Sequence, residues 1–101
     1  MLPSTKKRIL VVDDAVVVRK TLTDALDRDP ALEVVGTAVN GRVALAKFPA
    51  LRPDIVLLDI EMPEMDGLEV LRRLRAADPQ LPVLLLFIQR YCAHSRREEW
   101  I

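Results

Sequence analysis

The sequence predicts an α/β domain built on a parallel sheet, and three observations carry that prediction. Short, unbroken apolar runs recur along the chain. Between them, apolar residues return at helical spacing among charged ones. Each helical stretch ends at Asp29-Pro30, Pro53 or Asp78-Pro79. Apolar runs of this length suit strands buried on both faces, and alternation with helices makes those helices crossovers between parallel strands.

The elements follow in order. Ile9 to Val12 is wholly apolar and ends at Asp13-Asp14, which predicts a first buried strand. From Ala15 to Asp27, Val18, Leu22 and Ala25-Leu26 mark the inner face of a helix, with Asp14 as its expected cap. Leu32 to Ala38 partly alternates, as an edge strand does. Asn40 is a turn or cap residue before a second helix carrying Ala44, Leu45 and Phe48. Ile55 to Leu58 is another doubly buried strand. Leu68 to Ala77 is a third helix, with Leu68, Leu71 and Leu74 expected inside and Arg72, Arg73 and Arg75 forming a solvated face. Val83 to Ile88 is a fourth strand, introduced by Pro82.

Composition narrows the function. Half of the 101 residues are apolar, enough for the core of one small domain. Fifteen basic residues balance fifteen acidic ones, so nothing in the net charge points to nucleic acid or an anionic membrane surface. Val83 to Ile88 is far too short to span a bilayer, and the two aspartates after Val12 exclude a signal peptide there. A cytoplasmic protein is expected. Cys92 has no cysteine partner, and its spacing to His94 matches no usual zinc pattern. Gly36, Gly41 and Gly67 form no phosphate-binding loop.

The acids carry the chemistry. Placing the second strand on one side of the first, and the third on the other, gives the order 2-1-3-4. Sites in such sheets form at the carboxyl ends of the strands, beside the switch point. Asp13, Asp14 and Asp59 all fall there. Two carboxylates about 4 Å apart repel by roughly 1 kcal/mol in water and about 4 kcal/mol at an effective dielectric near 20. A divalent cation relieves that repulsion, and an all-oxygen site with few protein ligands suits Mg²⁺. A carboxylate in such a site can also accept a phosphoryl group as an acyl phosphate.

Val11-Val-Asp-Asp14 together with Leu57-Leu-Asp-Ile-Glu-Met-Pro-Glu-Met-Asp-Gly67 closely resembles the receiver domain of two-component response regulators. Glu33-Val-Val-Gly-Thr-Ala-Val-Asn-Gly41 adds a likeness to receivers of the chemotaxis methylesterase group. The resemblance runs from about Lys6 to Phe87. It implies a flavodoxin-like, three-layer fold in which Asp59 accepts phosphoryl from a histidine kinase. It further implies that Asp13, Asp14, Asp59 and the backbone carbonyl of Glu61 hold Mg²⁺, with Pro63 and Gly67 shaping the loop behind Asp59. Such a module is not an enzyme in its own right, because the phosphoryl group ends on its own side chain. A dehalogenase-like phosphatase, the rival phosphoryl-transfer reading, would carry an acid at position 15, which is Ala.

The chain departs from the family pattern at its far end. Receivers close the fourth strand with a Ser or Thr, where this chain has Phe87 and Ile88. The family's fifth strand, with its lysine, and its last helices have no counterpart in the sequence. Residues 1–88 are therefore expected to form a truncated receiver, and 89–101 a tail foreign to the family. Two expectations follow: Mg²⁺ binding and phosphorylation of Asp59 are weakened, and the apolar edge Val83 to Ile88 drives self-association. A degenerate fragment that binds or self-assembles without phosphorylation is the competing reading.

Overall fold

The computed structural model describes residues 6–62 and 66–86. Seven elements alternate along them: β1 (Lys7–Val12), α1 (Val16–Asp27), β2 (Leu32–Ala38), α2 (Gly41–Leu51), β3 (Ile55–Asp59), α3 (Gly67–Ala77) and β4 (Val83–Leu86). The strands form one sheet in the order β2-β1-β3-β4, and every neighbouring pair is parallel. The parallel sheet with crossover helices is the one expected from the alternation of runs, and its strand order and three layers are those of the flavodoxin-like fold that the resemblance implied. Phe87, Ile88 and the stretch 89–101 lie outside the described residues, as does Pro63.

The sheet divides the core because side chains alternate across each strand. Leu10, Val12, Val56 and Leu58 face α2 and α3, where Ala44, Val70 and Leu74 cover them. Ile9, Val11 and Leu57 face the other way and meet Leu22 and Leu26 of α1. Each fully buried leucine or valine here stabilises the fold by about 1.5–3 kcal/mol relative to exposure. The larger cluster lies under two helices and the smaller under one. Right-handed crossovers account for that division, since they send α1 to one face and α2 and α3 to the other.

The inner faces of two helices differ from expectation. In α3 the buried stripe is Gly67, Val70 and Leu74, and Leu68 is 60% exposed. The cause lies at the first residue of the helix. A Cβ on Gly67 would stand 2.3 Å from the Ile60 Cα and 2.6 Å from the Asp59 carbonyl oxygen. The helix therefore begins pressed against the end of β3, and its rotation is set there. Leu68, about 100° further round the helix, points outward. In α1, Leu22 and Leu26 pack inward as expected, but Ala25 is exposed and no residue of the helix is fully buried.

Capping follows local chemistry. Asn40 Oδ1 accepts the Val43 N–H at 2.8 Å and Asp66 Oδ1 accepts the Glu69 N–H at 2.9 Å, each satisfying an end-of-helix donor. Asp14 does not cap α1. The N-cap position is Ala15, which offers no side-chain acceptor. The arginine face of α3 is solvent-exposed, as expected, and is organised by local bonds. Arg72 and Arg73 both bond Glu69, and Arg75 donates to the carbonyls of Pro79 and Leu81 beyond the end of the helix. Among the described residues, no helix is long and apolar enough to cross a membrane.

Candidate metal centre

The site grows out of strand register. Val12 of β1 pairs with Leu58 of β3. One step further along each strand come Asp13 and Asp59, so parallel pairing alone delivers two carboxylates to one end of the sheet. Hydrogen bonds carry the ladders to this rim: the Asp13 N–H donates to the Ala38 carbonyl at 3.0 Å and the Ile60 N–H to the Leu86 carbonyl at 3.1 Å. Asp13 and Asp59 are each 0% exposed, while Asp14 is half-buried.

The two buried acids are held alike. Asp13 Oδ1 accepts the Ala15 N–H at 2.8 Å, and Asp59 Oδ1 accepts the Glu61 N–H at 2.9 Å. Each bond reaches two residues ahead, the Asx-turn pattern that stabilises a tight change of direction. It also fixes the rotation of each carboxylate. With Asp14 included, the three side chains offer one oxygen each within 4.8 Å of one another.

The donor set fits Mg²⁺. All three ligand atoms are hard oxygens, their number leaves positions for water, and two of the three are withdrawn from solvent. Glu61, whose carbonyl the sequence reading added to the set, directly follows the site and is tied to it through its N–H.

Gly67, expected behind Asp59, and two residues that the sequence reading did not assign to the site, Met62 and Arg19, support this rim. Met62 lies 5% exposed in the larger core and anchors the loop leaving Asp59. An apolar residue three positions after the strand-end acid was the available signal. Gly67 backs the same turn, and its N–H donates to the Ile60 carbonyl at 3.2 Å. Arg19 of α1 donates from Nη1 to the Asp13 carbonyl at 2.8 Å. No local pattern announces that bond.

Comparison with known proteins identifies the family and the fold. The sequence matches the response regulator receiver domain family over residues 9–95. It is 59% identical over 78 residues to a protein-glutamate methylesterase/protein-glutamine glutaminase of Nocardioides sp., a match covering 77% of this chain and 21% of that protein. A protein of the same name from Trichodesmium erythraeum is 51% identical, with 79% of this chain and 23% of that protein covered. The chain thus spans about a fifth of the length of these curated relatives. Among solved structures, the response regulator domain of Thermotoga maritima CheB superposes with a TM-score of 0.75 at 39% identity, covering 79% of this chain and 59% of that one. A CheY from Borrelia burgdorferi, in a CheX-CheY-BeF3-Mg²⁺ complex, superposes with a TM-score of 0.73 at 33% identity, covering 78% and 60%.

Proposed function

The chain belongs to the response regulator receiver domain family, and from that premise we propose that it is a phosphoacceptor module of a chemotaxis-like two-component pathway. The observation that carries the reading is the meeting of Asp13, Asp14 and Asp59 within 4.8 Å at the carboxyl rim of the sheet. In this reading Asp59 is the acceptor, and Asp13, Asp14, Asp59 and the Glu61 carbonyl hold Mg²⁺. The complex of the Borrelia CheY with BeF3 and Mg²⁺ is in keeping with it.

The chemistry is a transfer from a phosphohistidine of a histidine kinase. An Asp59 carboxylate oxygen forms a bond to phosphorus as the donor's P–N bond breaks. The electron pair leaves with the imidazole nitrogen, which takes up a proton from solvent. Mg²⁺, when bound, supplies positive charge against the carboxylates and the incoming phosphoryl oxygens. The chain's own part is positioning, the main source of rate in phosphoryl transfer. Val12–Leu58 pairing sets the distance between acids, and the Glu61 N–H sets the rotation of Asp59. The phosphoryl group remains on the chain, so the module is a recipient rather than an enzyme, in a cytoplasmic setting where kinase and Mg²⁺ are both present.

The rate is reduced. Phe87 and Ile88 follow β4 in sequence where the family pattern has a hydroxyl, and loss of one such donor commonly lowers a rate by about 10²–10³. Incubation with acetyl phosphate and Mg²⁺, followed by intact-mass measurement, tests the function. Slow gain of one phosphoryl group, abolished in Asp59→Asn, is expected. Unchanged labelling of Asp59→Asn would overturn the assignment of the acceptor. The competing reading, a self-assembling module, is favoured by the exposure of Leu84 and Leu85 on β4.

A further inference from the structure

We propose that Arg19 is a positioning residue for the divalent-cation site, acting through the backbone of Asp13. The inference rests on reading Asp13, Asp14 and Asp59 as cation ligands. Arg19 Nη1 donates to the Asp13 carbonyl at 2.8 Å, a partly buried bond that spans six residues and folds the first turn of α1 back onto the end of β1.

The start of α1 lacks the usual means of being held. Its N-cap, Ala15, provides no side-chain acceptor, and no acidic residue occupies its first turn. Val16 and Val17 are exposed. The helix meets the core through Leu22 and Leu26, both well beyond the first turn. Packing therefore fixes the body of α1 but not its beginning. The turn that carries Asp13 and Asp14 is set instead by hydrogen bonds on Asp13: its N–H to the Ala38 carbonyl, its Oδ1 from the Ala15 N–H, and its carbonyl from Arg19. Besides the Arg19 N–H to Ala15 carbonyl bond at 3.0 Å, which is the helix's own backbone pairing, the Arg19 side chain ties the Asp13 backbone itself to the helix.

An arginine early in a helix is electrostatically out of place, since the N-terminal end carries partial positive charge. The neighbouring acids and the Asp13 carbonyl offset that cost. Arg19 then affects the cation in two opposing ways. Its charge repels a divalent ion, which lowers affinity. Its bond to Asp13 preorganises two of the ligands, which raises affinity. Groups that orient metal ligands typically change metal affinity by about 10–100-fold when removed. A partly solvated charge beyond the ligands is screened and weaker. Positioning therefore wins, and the sign of the mutational effect separates the two roles.

The test uses the 101-residue chain as wild type, Arg19→Met, Arg19→Lys and Lys20→Met. Mg²⁺ is titrated against the amide NMR shifts of Asp59 and Ile60, and hydrogen exchange of the Ala15 amide is followed without metal. Arg19→Met is expected to bind Mg²⁺ about tenfold more weakly and to exchange Ala15 faster even in the metal-free state. Arg19→Lys keeps the charge but not the planar fork, and is expected to lie between it and wild type. Lys20→Met, which removes an exposed cation paired with Asp24 on the same helix, is expected to bind as wild type does. Equal or tighter binding by Arg19→Met would make Arg19 a bystander charge and overturn the proposal. If that variant does not fold, Arg19→Lys decides, and affinity equal to wild type overturns it. A wild-type chain without saturable Mg²⁺ shifts would overturn the cation-site reading as well, which distinguishes that failure from the failure of Arg19 alone.

Discussion

Asp13 and Asp59 lie side by side because each is the residue after a paired position, Val12 on β1 and Leu58 on β3. Both are fully buried, and both turn Oδ1 toward an N–H two residues ahead. The arrangement costs stability whenever no cation is present, because like charges about 4 Å apart repel by roughly 1 to 4 kcal/mol as the effective dielectric falls from that of water to near 20.

Asp59→Asn removes one of these charges while its amide oxygen can still accept the Glu61 N–H. The variant is therefore expected to be more stable than wild type without Mg²⁺, by about 1 kcal/mol or more. Saturating Mg²⁺ should reverse the order of response. A wild-type site at a hundred times its dissociation constant gains about 2.7 kcal/mol by mass action, and the variant gains less. Urea denaturation with and without Mg²⁺ measures both. A metal-free Asp59→Asn that unfolds earlier than wild type contradicts the account.

Gly67→Ala should damage the same rim from behind. The added methyl would fall 2.3 Å from the Ile60 Cα, and backbone cannot yield as a flexible side-chain end can. Overpacking of this kind costs about 1–3 kcal/mol. Amide shifts at Asp59, Ile60 and Val70 should move, since α3 must tilt or slide. Gly36→Ala is the contrast: its Cβ would meet only the Leu51 Cδ1 closely, a side-chain end free to rotate away. Thermal unfolding of the two variants should rank Gly67→Ala clearly below Gly36→Ala.

The strands were legible because Ile9 to Val12 and Ile55 to Leu58 are buried on both faces, and an unbroken apolar run says so directly. The acids were legible for a related reason, since a carboxylate ending such a run has a known address at the sheet rim. Other features depend on contacts that local pattern does not encode. The outward turn of Leu68 depends on how Gly67 meets Ile60, a contact across a loop. Likewise, Asp14 reads as a cap by type and position, but the bond to Ala15 N–H belongs to Asp13, whose place is set by the sheet. Arg19 carries no motif at all. Its partner is a backbone carbonyl, which every residue has.

Glu69 provides a pH-dependent test on the outer face of α3. Hydrogen bonds from Arg72, and then from Arg73, hold its carboxyl at about 2 against an ordinary value of 4.5. A depressed folded value means that the favourable contribution is complete above 4.5 and disappears as pH falls through about 2. The group is solvent-exposed, so its effect on overall stability is small. Its titration is the sharper readout. In NMR the side-chain carboxyl of Glu69 should titrate well below the ordinary value of 4.5, and Arg72→Ala should raise it more than Arg73→Ala. A midpoint unchanged by both substitutions would remove these arginines as the cause.

The far edge of the sheet sets up the last prediction. β4 pairs with β3 along one side, through Val56–Val83 to Asp59–Leu86, and no strand pairs with its other side among the described residues. Its four residues are all apolar, with Leu84 at 56% and Leu85 at 39% exposure. Register puts Leu84 across from Leu57 and Leu85 across from Leu58, so the two leucines project to opposite faces. An uncharged strand offering backbone donors and acceptors together with exposed leucines on both faces is the arrangement that recruits another copy, and a lysine on such an edge is a common natural deterrent. The 101-residue chain is expected to show concentration-dependent association by light scattering. Leu84→Lys should suppress it at little cost to folding, because the leucine side chain already lies largely in solvent. Leu68→Lys, which places the same charge on another exposed apolar site away from the edge, should leave association intact. A chain that stays monomeric at high concentration, or equal suppression by both lysines, would show that β4 is not the contact.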